Sequence, residues 1–215
     1  MRKMRDVLNV VPFGAQYYRA PTPERSAWKS DYAAMRDAGF NTIKIWAQWR
    51  WNQPGEDEFY WDDLDGLMDL ADDAGLSVVI NTILDCAPAW LHRKYPDCVM
   101  VNPYGQPVGP VTLGHRQIGG SPGPCFHHPD AMAHLERFVE AVVKRYAGHP
   151  ALSIWDLWNE PELTVGLMRE PRIENLVCYC EHSKRAFVDW LQGKYGDIDG
   201  LNDAWHRNYR RWDEL

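Results

Sequence analysis

The chain lacks any apolar run of the roughly 20 consecutive residues that a bilayer span requires, which excludes a membrane helix from the reading. It also lacks an excess of positive charge, since 23 Lys and Arg stand against 30 Asp and Glu for a net charge of −7. Nucleic-acid affinity comes mostly from clustered cations, so a phosphate-backbone partner is excluded as well. The amino end, Met1-Arg2-Lys3-Met4-Arg5-Asp6, is basic, but Val7-Leu8-Asn9-Val10-Val11-Pro12 is too short and too interrupted for the core of a signal peptide. Cysteine is scarce and odd in number, at five. Without an export signal, that points to thiols or a metal site rather than a disulfide framework, and to a cytoplasmic protein. Linkers and low-complexity tracts are missing too, so a single unit over residues 1–215 is expected.

Aromatic rings are plentiful instead. Eleven Trp and ten Tyr offer flat apolar faces that suit the C–H surfaces of sugar rings, with N–H and O–H groups that can meet hydroxyls. Most of them are expected to fill the core, and at 45% hydrophobic content the 215 residues suffice for one well-buried domain.

Four segments read as buried strands, each followed by a helix or by a loop that leads to one. The first covers residues 11–17. Its helix opens at Thr22-Pro23-Glu24, with a capping hydroxyl and a proline at the first helical position; Trp28, Tyr32 and Met35 share a face and Gly39 ends it. The second strand covers 42–49, and its helix, 62–74, carries Leu64, Leu67, Met68 and Ala71 inward before Gly75. The third strand, 77–84, runs into a Gly- and Pro-rich passage over 85–129, and connections that long are usually functional. A helix over 130–146 follows, with Met132, Leu135, Val139, Val142 and Tyr146 at helical spacing. The fourth strand lies within ALSIWDLWNEP, 151–161, and helices over 174–195 and 201–205 complete the pattern.

Strand and helix alternating at about the thirty-residue period of a βα unit is the signature of a parallel sheet with helices outside. The fold class is therefore α/β of the (β/α)8 TIM-barrel type. Four units are present, where a complete barrel takes about 250 residues, so the chain reads as the first half of a barrel. Catalytic groups of such barrels sit where strands end. Asn159 and Glu160 stand at that point on the fourth strand, and Glu160 is the first candidate for chemistry.

Several separate stretches, in order, resemble glycoside hydrolase family 42, the β-galactosidases. They are Phe13-Gly14-Ala15-Gln16-Tyr17-Tyr18, Met35-Arg36-Asp37-Ala38-Gly39-Phe40-Asn41, Pro88-Ala89-Trp90-Leu91-His92-Arg93-Lys94-Tyr95-Pro96 and Trp158-Asn159-Glu160. Cys178-Tyr179-Cys180-Glu181-His182, Tyr195-Gly196 and Leu201-Asn202-Asp203-Ala204-Trp205 continue the match. The resemblance implies a retaining hydrolase of terminal β-D-galactosides in which Glu160 is the general acid/base and Asn159 binds the sugar 2-hydroxyl. It also implies a sugar-binding arginine, for which Arg116 is the nearest candidate. Trp158, and Trp49 with Trp46 and Gln48 at the end of the second strand, are expected to line the same mouth of the barrel, alternation sending some of the latter three into the core. The second carboxylate, the nucleophile, comes in that family from the seventh strand and has no counterpart in this chain.

The resemblance implies no cofactor for the chemistry but a structural zinc held by Cys125, Cys178, Cys180 and a further cysteine. Ser183 occupies that last position, which leaves the fourth ligand open among Ser183, His182, His127 and His128. Cys86 and Cys98 read as small buried apolar residues. The competing readings are a catalytically inactive half-barrel that binds carbohydrate or self-associates through its open edge, and a metal-dependent hydrolase built on the Cys and His residues.

Overall fold

A computed structural model of the chain describes residues 11–108, 123–159, 173 and 176–215. In chain order the elements are β1 (Gly14–Tyr18), α1 (Arg25–Asp37), β2 (Thr42–Gln48), α2 (Trp49–Asn52), α3 (Asp62–Asp73), β3 (Ser77–Ile83), α4 (Ala89–Lys94), the hairpin strands β4 (Met100–Val101) and β5 (Pro107–Val108), α5 (Pro129–Tyr146), β6 (Leu152–Asp156), α6 (Glu181–Tyr195) and α7 (Ile198–Trp205). The strands β1, β2, β3 and β6 pair side by side in that order, all parallel. The four expected βα units are therefore present, in the arrangement of part of a β/α barrel. No helix among the described residues is long and apolar enough to cross a membrane.

Alternation along the central strands separates two environments. Ile43, Ile45, Ala47, Val78 and Ile80 point into one core with Trp28, Tyr32, Leu64, Leu67, Met68, Phe138 and Val142 from the helices. Each fully buried apolar side chain of this kind is worth roughly 1.5–3 kcal/mol. The other face carries Lys44, Trp46, Gln48, Asn81, Ile83 and Asp156. Trp46 and Ile83 form a small separate cluster there with Cys86, and Lys44 pairs with Asp156 at 2.6 Å across the intervening strand.

The expectation that all four strands are buried on both faces holds for β2 and β3 only. The outer strands keep exposed positions, Gly14, Ala15 and Gln16 in β1 and Ile154 in β6, because neither has a second strand neighbour among the described residues. β1 begins at Gly14 rather than residue 11. A Cβ at Gly14 would lie 1.6 Å from the Thr42 carbonyl oxygen, so only glycine permits the approach of β1 to β2. α1 begins at Arg25, with Glu24 at its N-cap and no side-chain capping bond, so the Thr22 hydroxyl does not cap it. Gly39 and Gly75 take positive φ, 83° and 66°, just beyond α1 and α3, as their placement in the sequence predicts.

One polar knot ties these units together. Asp63, only 8% exposed, accepts hydrogen bonds from Tyr18 Oη at 2.7 Å, Trp51 Nε1 at 3.1 Å and Tyr60 Oη at 3.0 Å. Burial, then the bond to Asp63, pushes the Tyr18 hydroxyl far above its usual range, so it stays a donor. Replacing Asp63 by Ala leaves three donors without their acceptor and is expected to lower stability by about 2–4 kcal/mol in urea denaturation. A loss under about 0.5 kcal/mol would show that the knot adds nothing to the fold.

Candidate active-site rim and cysteine cluster

Strand β6 leaves the sheet in a way that fixes the segment carrying the candidate chemistry. In place of further backbone ladder, Asn81 Nδ2 donates to the Asp156 carbonyl at 3.1 Å and the Thr82 hydroxyl donates to the Leu157 carbonyl. The neighbouring strand therefore fastens residues 156–157 with side chains just before Trp158 and Asn159. Both Trp158 and Asn159 are half-buried. Register places Asp156 beside Asn81, and Asn81 beside Trp46. Period-two alternation then puts Trp158 one layer higher on the inner face, at the level of Ile83 and Gln48.

The candidate residues divide. Asn159 and Trp158 lie at the end of β6, as expected. Glu160 and Arg116 lie outside the described residues, as does residue 174, where the helix 174–195 was expected to begin. Trp49 is corrected. It starts α2 directly after β2, is 0% exposed, stacks on Phe138 at 6.2 Å and donates its indole N–H to Gln53 Oε1 at 2.7 Å. Alternation turns Gln48 inward, so Trp49 faces the helical shell and cannot touch a sugar.

The described parts of the long passage after β3, residues 85–108 and 123–128, carry regular elements. They contain α4, a single 3-10 turn at Pro96–Cys98 and the β4–β5 hairpin. The far end of the passage returns Cys125 to the segment after β6, where the Sγ atoms of Cys125, Cys178 and Cys180 all lie within 4.8 Å of one another. Cys125 and Cys180 are 3.3 Å apart. The Val101 and His127 amides each donate to a sulfur, at 3.4 Å, on Cys178 and Cys125 respectively. The hydrogen bond from the Cys125 thiol lowers Cys178 below the usual thiol range, while the same pairing drives Cys125 upward.

α6 begins at Glu181, with Cys180 as its N-cap, later than the spacing predicts. The preceding residues are extended against the hairpin instead, where the Tyr179 amide donates to the Val101 carbonyl at 2.7 Å. Cys86 and Cys98 are buried, as expected, and burial raises their thiols to about 12 and about 11.

The histidines sort themselves by partner. His128 caps α5, its Nδ1 accepting from the Ala131 amide at 3.2 Å. Its Nε2 meets Asp97 Oδ1 at 3.2 Å, and His182 Nε2 meets Asp97 Oδ2 at 3.3 Å. Asp97 thus bridges two imidazoles, whose bonds, that of His182 foremost, hold its carboxyl below the usual range. His127 meets the serine beside the cluster instead, with Nδ1 3.3 Å from Ser183 Oγ. Between Cys125 and His127, Phe126 packs edge-on against Trp158 with ring centroids 4.6 Å apart, so the cysteine cluster and the rim share one side-chain contact. Sequence reasoning missed Asn81, Thr82 and Phe126, because nothing in one dimension shows which polar side chain replaces a ladder bond in another strand.

The family model described as beta-galactosidase, of glycoside hydrolase family 42, matches residues 16–215. The chain belongs to glycoside hydrolase family 42. Beta-galactosidase bgaB of Geobacillus kaustophilus is 31% identical over 216 residues, covering 98% of this chain and 29% of that protein. The structure of the polyextremophilic beta-galactosidase of the Antarctic haloarchaeon Halorubrum lacusprofundi superposes with a TM-score of 0.75 at 30% identity, covering 95% of this chain and 29% of that one. That of the psychrophilic Marinomonas ef1 gives 0.74 at 26% identity, covering 94% and 29%. This family 42 chain thus spans under a third of the length of the relatives it matches, and its sheet and helices are part of a TIM barrel.

The strand-end fastening is testable by itself. Thr82→Val keeps the volume but removes the hydroxyl that Leu157 accepts from, and is expected to cost about 0.5–1.5 kcal/mol, read as a lower denaturant midpoint at unchanged slope.

Proposed function

We propose that the family 42 enzyme of which this sequence forms a part hydrolyses terminal β-D-galactosides by retaining double displacement, with Glu160 as its general acid/base. The observation that carries this reading is the position of Asn159, half-buried just past the end of β6, with Glu160 as the next residue in a chain that matches the family over residues 16–215. In the first step the Glu160 carboxyl would protonate the glycosidic oxygen while a second carboxylate attacks the anomeric carbon. In the second, Glu160 would take a proton from the water that releases the sugar. Such a group must hold a proton near neutrality, which burial and a neighbouring carboxylate bring about. The second carboxylate must stand about 5 Å away and comes from a part of the barrel that this sequence does not contain.

Asn159 would donate to the sugar 2-hydroxyl, a contact that strengthens as charge develops on the ring. Trp158 offers an aromatic wall, held by Phe126, and Arg116 would bind ring hydroxyls. A zinc ion at Cys125, Cys178 and Cys180 would supply no chemistry to the reaction. The three thiols converge, and two are already served by amide donors, which is the donor set of a structural site. Bound there, it would join the end of the long loop to the start of α6. Five free thiols support a reducing, cytoplasmic setting.

A second reading, self-association of this chain through its open edge, is favoured by exposed Ile154, Leu157, Phe187 and Trp190. A mass that rises with concentration would support it.

The decisive variant is Glu160→Gln in the family 42 enzyme carrying this sequence. It is expected to lower kcat/KM on an unactivated galactoside by on the order of 10² to 10⁴, with a smaller fall on an aryl galactoside whose leaving group needs less protonation. Unchanged turnover on both substrates would remove Glu160 from the mechanism.

A further inference from the structure

Ser183 stands where the cysteine spacing after β6 calls for one more thiol, and its oxygen is not displaced from the cluster. It lies 3.2 Å from Cys125 Sγ and 3.7 Å from Cys180 Sγ, with Cys178 also within hydrogen-bonding reach. In a tetrahedral zinc site with Zn–S near 2.3 Å and Zn–O near 2.0–2.2 Å, the sulfur–oxygen edge is about 3.6 Å. The two separations straddle that value. The sulfur–sulfur edge of the same tetrahedron is about 3.8 Å, and the three Sγ atoms already lie within 4.8 Å of one another.

We propose that Ser183 is the fourth ligand of a divalent metal ion held by Cys125, Cys178 and Cys180, and that His127 is the positioning residue that aims its hydroxyl. This rests on the reading of a zinc site at the three cysteines and adds what closes it. His128 and His182 each direct Nε2 at Asp97, at 3.2 and 3.3 Å. His127 reaches the serine oxygen rather than a sulfur, at 3.3 Å. With the Ser183 O–H directed at His127 Nδ1, the oxygen lone pairs turn toward the space between the thiols. An outer-shell acceptor of this kind both orients a first-shell ligand and raises its basicity, which offsets the weakness of a hydroxyl as a zinc donor. The backbone assists, because Cys180 caps α6 and Ser183 falls on the first turn of that helix, on the side of the sulfurs.

An oxygen at this vertex leaves the complex of three thiolates and Zn²⁺ with a charge of −1 where four thiolates would give −2. It also makes the fourth bond the weakest of the set, so the loop bearing Cys125, Phe126 and His127 is anchored more loosely than four thiolates would anchor it.

The test uses the chain loaded with zinc or cobalt and reads metal, not turnover. Metal content after dialysis against graded chelator is expected to be one ion per chain. Ser183→Ala should weaken retention roughly 10- to 100-fold, and His127→Ala by a smaller factor in the same direction. Ser183→Cys should strengthen retention and raise the thiolate-to-cobalt charge-transfer absorbance by about one third, as three thiolates become four. Ser183→Ala with unchanged retention and an unchanged cobalt spectrum would overturn the assignment of the serine. An ion held by Ser183→Cys but not by the natural chain would overturn it too, while keeping the three cysteines as a competent site. No ion in either protein would end the zinc reading itself.

Discussion

The register between β2 and β3 is the constraint on which the rest depends. Trp46 pairs with Asn81 and Gln48 with Ile83 without a slip, and a shift of one residue would exchange every side chain between the two faces. Ile43, Ile45, Val78 and Ile80 would then leave the helical core, and Lys44 and Asn81 would enter it. The apolar area at stake, four side chains at roughly 1.5–3 kcal/mol each, is comparable to the whole marginal stability of a typical domain, about 5–15 kcal/mol. The register is thus fixed by burial, and it carries the inner polar layer with it. Asp156 lies opposite Asn81, and the chain beyond it is delivered to the rim at a determined height.

That delivery has support from two sides. From the sheet, Asn81 and Thr82 hold the carbonyls of Asp156 and Leu157. From the loop, Phe126 stands against Trp158, and Phe126 is flanked by a cysteine and a histidine of the sulfur cluster. A loop running from residue 85 to the start of α5 would be too long to place one aromatic ring by chain stiffness alone. Among its described residues, the hairpin, the Asp97 bridge between His128 and His182, and the meeting of Cys125 with Cys178 and Cys180 give it fixed points. Phe126 thus passes the order of the sulfur cluster on to Trp158 through a single ring contact.

Much of this was legible in one dimension. Helical spacing picked out the buried stripe of α3, Leu64, Leu67, Met68 and Ala71, because an amphipathic helix writes its inner face at intervals of three and four. The strands β2 and β3 were found within two residues, since apolar runs bounded by glycine leave few alternatives. What failed did so for identifiable reasons. Trp49 was assigned to the rim by continuing the strand, whereas the chain turns into α2 at that residue and its ring goes into the shell. The start of α6 was set too early because helical periodicity extends back past Cys180, while the tertiary pairing of Tyr179 with Val101 and the convergence of the thiols prevail over local propensity. The roles of Asn81 and Thr82 carry no signal in sequence, because they consist of a bond to a strand some 75 residues away.

The two faces of the sheet also differ in the groups they can hold. An outward face sealed by helices supplies the stability, which leaves the inward face free to hold groups that a well-packed core would reject. Lys44 and Asp156 are such a pair: partly exposed and 2.6 Å apart, they lie on an inner layer that would cost several kcal/mol per charge if it were dry and unpaired. Their survival there shows that the inner face tolerates charge as long as each charge finds a counterpart.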